Sequence, residues 1–186
     1  MGALSVTADL PAEAGEKLMQ AKPAKVDRWL EESLPPEVAG CLRRRVRNRT
    51  TAAHGFDEEF LGYEVATVPP AADLEKVQAA LRNHEQACLP APADRMIDEL
   101  GRLRVLTAKR PDDMPNEVAT LRIYAEKLRE YPADIVLDVL RTQPSHSKFW
   151  PAWQELQERL EWRAKKRRAR RDALAALLDR MEGVAA

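Results

Sequence analysis

The stretch LRIYAEKLREYPADIVLDVLRTQPSHSKFWPAWQELQERLEW, residues 121–162, decides the fold class. Leu121, Ala125 and Leu128 recur at helical spacing, and Val118 extends the same face backwards. Pro115 is placed to start this helix, because a first-turn residue needs no amide proton. Tyr131-Pro132-Ala133-Asp134 restarts a helix with a proline in the first turn and an acid favourable to the helix dipole. Ile135, Val136, Val139 and Leu140 give that helix its apolar side. After Gln143-Pro144-Ser145-His146-Ser147-Lys148, the pair Trp150-Pro151 repeats the aromatic-proline start. A longer helix runs on through Trp153, Leu156 and Leu160, with no breaker before Gly183. At ~1.5 Å per residue, roughly thirty residues make about 45 Å, too long for the short helices before it to cover.

Outward from this stretch the pattern stays helical. Met96, Ile97, Leu100 and Leu103 form one stripe, running out at Lys109, Arg110 and Pro111. Leu74, Val77, Leu81, His84 and Cys88 form another, with Asp73 placed to cap it and Pro90 beyond its end. Val26, Trp29 and Leu30 predict a short helix, and Val38, Cys41, Leu42 and Val46 a second after Pro35-Pro36. Between Thr50 and Pro70, Phe56, Phe60, Tyr63, Val65 and Val68 fit neither period, which leaves an extended segment or a short hairpin. Met1 to Ala21 is alanine-rich and weakly patterned, as in a mobile segment. The expectation is an all-α protein: a bundle of about five helices over residues 71–162, a less regular, partly helical extension over 1–70, and a basic continuation of the last helix over 163–186.

Composition bounds the function. Charged residues make up 32% and apolar ones 45%, so the chain carries enough core-forming residues to fold in water. No apolar run approaches the roughly 18 residues of a membrane span, and Met1 to Leu10 lacks the basic start and apolar core of a secretory signal. The cytoplasm is the expected setting, with no membrane partner. Cys41 and Cys88 are far apart and read as buried small apolar residues. There is no phosphate-cradling glycine loop, nucleophile elbow or cysteine pair, so no enzyme, cofactor or metal is expected. His84 and Cys88 share a helical face but have no evident further ligands, and a core role fits them better. Asp57, Glu58, Glu59, Asp112 and Asp113 read as solvated loop or helix-start charges.

A net charge of zero hides two basic clusters. Arg163 to Arg171 holds seven basic residues in nine. Extending Trp153, Leu156 and Leu160 at heptad spacing brings Arg163, Arg167 and Arg170 onto the seam, before Leu174, Leu177, Leu178 and Met181 restore it. A seam broken by three arginines cannot pack as one core, so its distal part should project or dock elsewhere. These seven residues are the expected partner contact, and the distal leucines could also pair two copies or close back on Val26, Trp29 and Leu30. The second cluster is Arg43, Arg44, Arg45, Arg47 and Arg49, in which Arg43 and Arg47 share one side of a helix. Arg43, Arg44 and Arg47, with Lys165, Lys166, Arg168 and Arg171, are the candidates for non-specific phosphate contacts.

Tyr124-x6-Tyr131-Pro132, the helix bearing Val136 and Val139, and Phe149-Trp150-Pro151-x-Trp153-x-Glu155-Leu156 together resemble the helical domain of phage replicative-helicase loader and inhibitor proteins. The resemblance covers roughly residues 115–162. It implies a non-enzymatic phage or prophage replication adaptor that binds a replicative helicase through the segment after the helical domain, here Arg163 to Met181. Family members make that contact with a flexible tail, whereas this chain has a firm basic helix there and some 70 further residues in front. A DNA-binding regulatory or packaging protein and a host-directed inhibitor are the alternatives.

Overall fold

The computed structural model describes residues 12–51, 55–108 and 117–184. Among the described residues, eight α-helices and one hairpin occur in the order α1 (Ala12–Gln20), α2 (Pro23–Glu32), α3 (Pro36–Ala39), β1 (Leu42–Thr51), β2 (Gly55–Val65), α4 (Leu74–Ala87), α5 (Ala93–Leu106), α6 (Glu117–Leu128), α7 (Ala133–His146) and α8 (Trp153–Val184). The protein is thus mostly helical but not all-α. Pro115, Lys109 to Pro111, Asp112, Asp113 and residues 1–11 lie outside the described residues, and with them the expectations that rested there. Part of the segment read as mobile, Ala12–Gln20, is helical.

Helix α7 is the centre of the bundle. Its residues from Ala133 to Leu137 are all buried, as are Val139 and Leu140. Met96, Leu100 and Leu103 of α5, Ala125 and Leu128 of α6, and Leu156, Leu160 and Ala164 of α8 surround it. Ile97 and Val118, expected on inner faces, point outward. The aromatic-proline signals hold the bundle corners: the Tyr124 hydroxyl donates to the Pro151 carbonyl at 3.1 Å, and its ring lies 5.6 Å from those of both Trp150 and Trp153. Glu155 reaches back to accept from the Ala152 amide at 3.1 Å, which satisfies one orphan donor at the start of α8. Asp73 does not cap α4 with its side chain; its carboxylate holds Lys76 at 2.8 Å instead.

Helix α8 is 32 residues long and is covered along much of its length. Its proximal apolar residues belong to the bundle, while Leu174, Leu177 and Met181 join Val38, Cys41, Val77, Ala80 and Leu81 in a second core. A third cluster, Val26 and Leu30 of α2 against Ala87, lies between them. The expectation of a projecting distal helix is therefore corrected: α3, α4 and the hairpin cover it. Its leucines close on α3 and α4, and not on Val26, Trp29 and Leu30. A dimer through these leucines would require their release from that core.

Residues 42–46 form a strand, where a helix was expected after Pro35-Pro36. β1 pairs antiparallel with β2 in a register that sets Arg43 opposite Glu64 and Arg47 opposite Glu59. Cross-strand opposite charges favour this pairing, and only the folded register reveals it. The register shifts between Arg45 and Val46, so that Leu61 is the extra residue of a bulge, and the adjoining Gly62 has φ +142°. Glycine alone adopts that backbone without strain, and it sits against Ala169 of α8. Gly62→Ala is expected to lower stability by about 1–3 kcal/mol, read as a shifted denaturant midpoint.

Candidate partner-binding surface

The three seam arginines do not face solvent as a block. Arg167 is 3% exposed and sits where the three cores meet. Its Nη1 and Nη2 donate to Asp134 at 2.7 and 2.9 Å, a bidentate pair. Its Nε donates to Asp27 of α2 at 3.0 Å, and Nη1 also donates to the Ala87 carbonyl at the end of α4 at 2.8 Å. One guanidinium thus ties α8 to α2, α4 and α7, and each of its three nitrogens has a partner. Burial pushes the Arg167 pKa down, but the Asp134 and Asp27 carboxylates outweigh it and hold the group charged, above its ordinary value. The seam is continuous because a buried carboxylate meets the buried cation. Asp134, read from sequence as a first-turn acid, supplies that carboxylate.

The neighbouring cations are also engaged. Arg163 pairs with Asp138. Arg170 donates to the Tyr63 hydroxyl at 2.7 Å and lies over that ring. Lys166 reaches Glu31 at 2.8 Å, and this contact, ahead of the opposing effect of burial, lowers the Glu31 pKa. Arg168 lies 4.5 Å over the Tyr131 ring, whose hydroxyl donates to Glu161 at 2.6 Å, and Arg171 pairs with its neighbour Asp172. Of the seven expected partner-contact residues, Arg167, Leu174, Leu177 and Met181 are therefore buried in the chain's own interior; Arg163, Arg170 and Leu178 are half-buried.

The nucleic-acid candidates fare similarly. Arg43 and Arg47 do share a side, but on a strand, about 13 Å apart at ~3.3 Å per residue, not one helical turn apart. Arg43 holds Glu64 at 2.6 Å, Arg47 holds Glu59 at 2.9 Å, and Arg44 lies 3.7 Å from Glu58. These exposed pairs contribute about 0–1 kcal/mol each to stability. Their consequence is electrostatic: the carboxylates of β2 offset most of the basic charge of β1. Glu58 and Glu59 are thus strand residues facing arginines, not loop charges.

His84 and Cys88 do not converge on a site. The His84 ring is 1% exposed, and its Nδ1 lies 2.8 Å from the Ala80 carbonyl. A carbonyl can only accept, so the proton is on Nδ1 and the Nε2 lone pair is left without a donor among the described residues. Nε2 is part of a ring that borders a cavity of about 20 Å³, shared with Asp27, Glu31, Arg167 and Arg170. Burial lowers the His84 pKa to about 4, partly opposed by the Ala80 hydrogen bond and helped by Arg170 and Arg167. Cys41 is buried as expected, with Sγ 3.2 Å from the Glu37 carbonyl, whereas Cys88 is only half-buried, and burial raises its thiol pKa.

What remains outside is a groove of about 960 Å³ between the start of α2, the hairpin and the outer face of α8. Its most conspicuous residue is Trp162, 80% exposed. Lys165 and Lys166, one turn on, share its face of α8; beyond them the hairpin covers the helix at Ala169. Phe60 and Tyr63 form the hairpin wall, and Lys22, Pro23 and Ala24 the α2 wall. Of its lining residues, Arg44, Arg163, Lys165 and Lys166 were candidates from the sequence, whereas Trp162 and the α2 wall were not. The signal for Trp162 was its position off the seam that runs through Leu160 and Arg163. Among the described residues no helix is long and apolar enough to cross a membrane, and no three His, Cys, Asp or Glu side chains are placed to hold a metal ion. Compared with protein-family models, curated proteins and solved structures, the chain matches none.

Proposed function

We propose that this chain is a non-enzymatic adaptor of phage or prophage DNA replication that binds a replicative helicase in the cytoplasm, using the outer face of α8 around Trp162. The observation that carries a protein-binding role is Trp162 itself. A tryptophan left in water on a rigid helix contributes nothing to the core, and tryptophan is the residue type most enriched where binding energy concentrates. The helicase as partner is supported by the resemblance over Tyr124 to Leu156. Tyr131, Val136, Val139, Trp150 and Leu156 are interior, so they serve the module's fold and leave binding to its outside.

The test is co-migration of the full chain with the host replicative helicase in gel filtration, together with the helicase ATPase rate. Co-migration and a changed rate are expected, and Trp162→Ala should weaken the complex by about fivefold or more. Neither co-migration nor a changed rate with the intact chain overturns the reading. Truncation after Trp162 is not a usable substitute, because it removes Leu174 and Leu177 from the core against α3 and α4.

A further inference from the structure

The groove beside Trp162 has a charge balance that favours one class of occupant. Each of its carboxylates is already held by an arginine: Asp27 by Arg167, Glu58 by Arg44, Glu59 by Arg47 and Asp138 by Arg163. Its cations are not all matched. Lys166 leans on Glu31, but Lys22 and Lys165 meet no carboxylate among the described residues, and the Lys165 ammonium lies 5.9 Å over the Phe60 ring. The α2 wall adds to this imbalance, since α2 begins with no side-chain cap and no acidic residue in its first turn. The Lys25 and Val26 amides are taken up by the Lys22 carbonyl, at 2.8 and 3.3 Å, so it is the positive end of the helix dipole that adds to the field of Lys22. Trp162 supplies the apolar floor on the opposite side.

We propose that this groove docks an acidic segment of a protein partner, with carboxylates on Lys22 and Lys165 and one apolar side chain packed on Trp162. The assignment deepens the adaptor reading and rests on it for the partner being a protein. A nucleic-acid strand fits less well, because the phosphates of a continuous backbone would run past Glu58, Glu59 and Asp138, whereas a peptide places its few charges selectively.

The test uses the full chain and fluorescence anisotropy with a labelled synthetic peptide alternating glutamate and leucine, a control alternating lysine and leucine, and a labelled DNA duplex. Saturable binding of the acidic peptide is expected, weakened by salt. About a tenfold loss should result from Trp162→Ala, and a similar loss from Lys22→Glu combined with Lys165→Glu. All three positions are exposed, so unchanged thermal melts should accompany those losses. No binding of the acidic peptide, or binding indifferent to both variants, overturns the proposal. So does tighter binding of the duplex, or self-association in ultracentrifugation that Trp162→Ala abolishes, which would assign the groove to nucleic acid or to a second copy. The two readings separate cleanly. Peptide binding without helicase co-migration leaves the groove assignment standing and removes the helicase. Co-migration untouched by the groove variants removes the groove assignment and leaves the helicase.

Discussion

Arg167→Ala should lower the folding stability by about 3–5 kcal/mol, the largest effect expected of any single polar substitution in this chain. The loss comes less from the attraction removed than from what is left behind. Asp134, itself 4% exposed and with its pKa already raised by burial against the opposing pull of Arg167, would be left in the interior with no cation against it, to stay charged or take up a proton at a cost, and the Ala87 carbonyl would lose a donor. Asp134→Ala should cost a similar amount for the mirror reason. Replacing both together, as Arg167→Met with Asp134→Leu, should recover most of the loss, because no charge then stays buried without a counter-charge. Urea melts of the two single variants and the double variant check this. Additive losses in the double variant would show that the pair is not coupled as the geometry requires. Asp27, which is about half exposed, can turn to water, so Asp27→Ala should cost clearly less than Asp134→Ala.

The second large effect is a dependence on pH that originates at His84. Above pH ~6.5 the ring is neutral in both folded and unfolded chains and contributes no pH dependence. As the pH falls below that value the unfolded chain takes up a proton, whereas the buried ring, with its pKa lowered to about 4, does not. Stability is therefore lost at about 1.4 kcal/mol per pH unit from pH ~6.5 down to ~4, about 3 kcal/mol in all. Burial sets the sign, against the Ala80 hydrogen bond, and the charged groups facing the ring add to it. Arg167, Arg170 and Lys166 of α8 oppose a further cation, and Asp27 and Glu31 of α2, already engaged by those cations, offset them only in part. Other carboxylates also titrate in this range, so the informative quantity is a difference. His84→Gln should flatten the fall between pH 6.5 and 4 relative to the unaltered chain. Parallel curves for the two proteins would count against the assignment.

Much of the helical layout was legible because its signals are local. Pro132 and Pro151 sit at the starts of α7 and α8, and Val77, Leu81 and His84 repeat at a spacing that only a helix turns to one side. The hairpin was half legible. An extended or hairpin segment was open for residues 50–70, but β1 begins at Leu42, in an arginine-rich run with little of the branched and aromatic content that marks strands. What stabilises β1 is the acidic row opposite it, which becomes visible only once the register is known. The seam failed for a similar reason. Three arginines on an apolar stripe look like an interruption until Asp134 and Asp27 are brought to Arg167 from other helices. The candidate surface was the least legible part, since its walls come from α2, the hairpin and α8, three segments that no spacing rule connects.

The Arg167 junction also bears on how the protein comes into being. Arg167 and Asp27 are 140 residues apart in the chain. At a synthesis rate of about 5–20 residues per second, the interval between their emergence is roughly 7–28 s. During that interval the inner sides of α2, α3 and α4 wait without the helix that covers them, and His84 faces water. Helices α5, α6 and α7 are joined by shorter loops and can begin to pack earlier, but the bundle too is completed by Leu156, Leu160 and Ala164 of α8, so both cores depend on the last helix made. In a cell that delay is a window for premature contacts, open until α8 arrives.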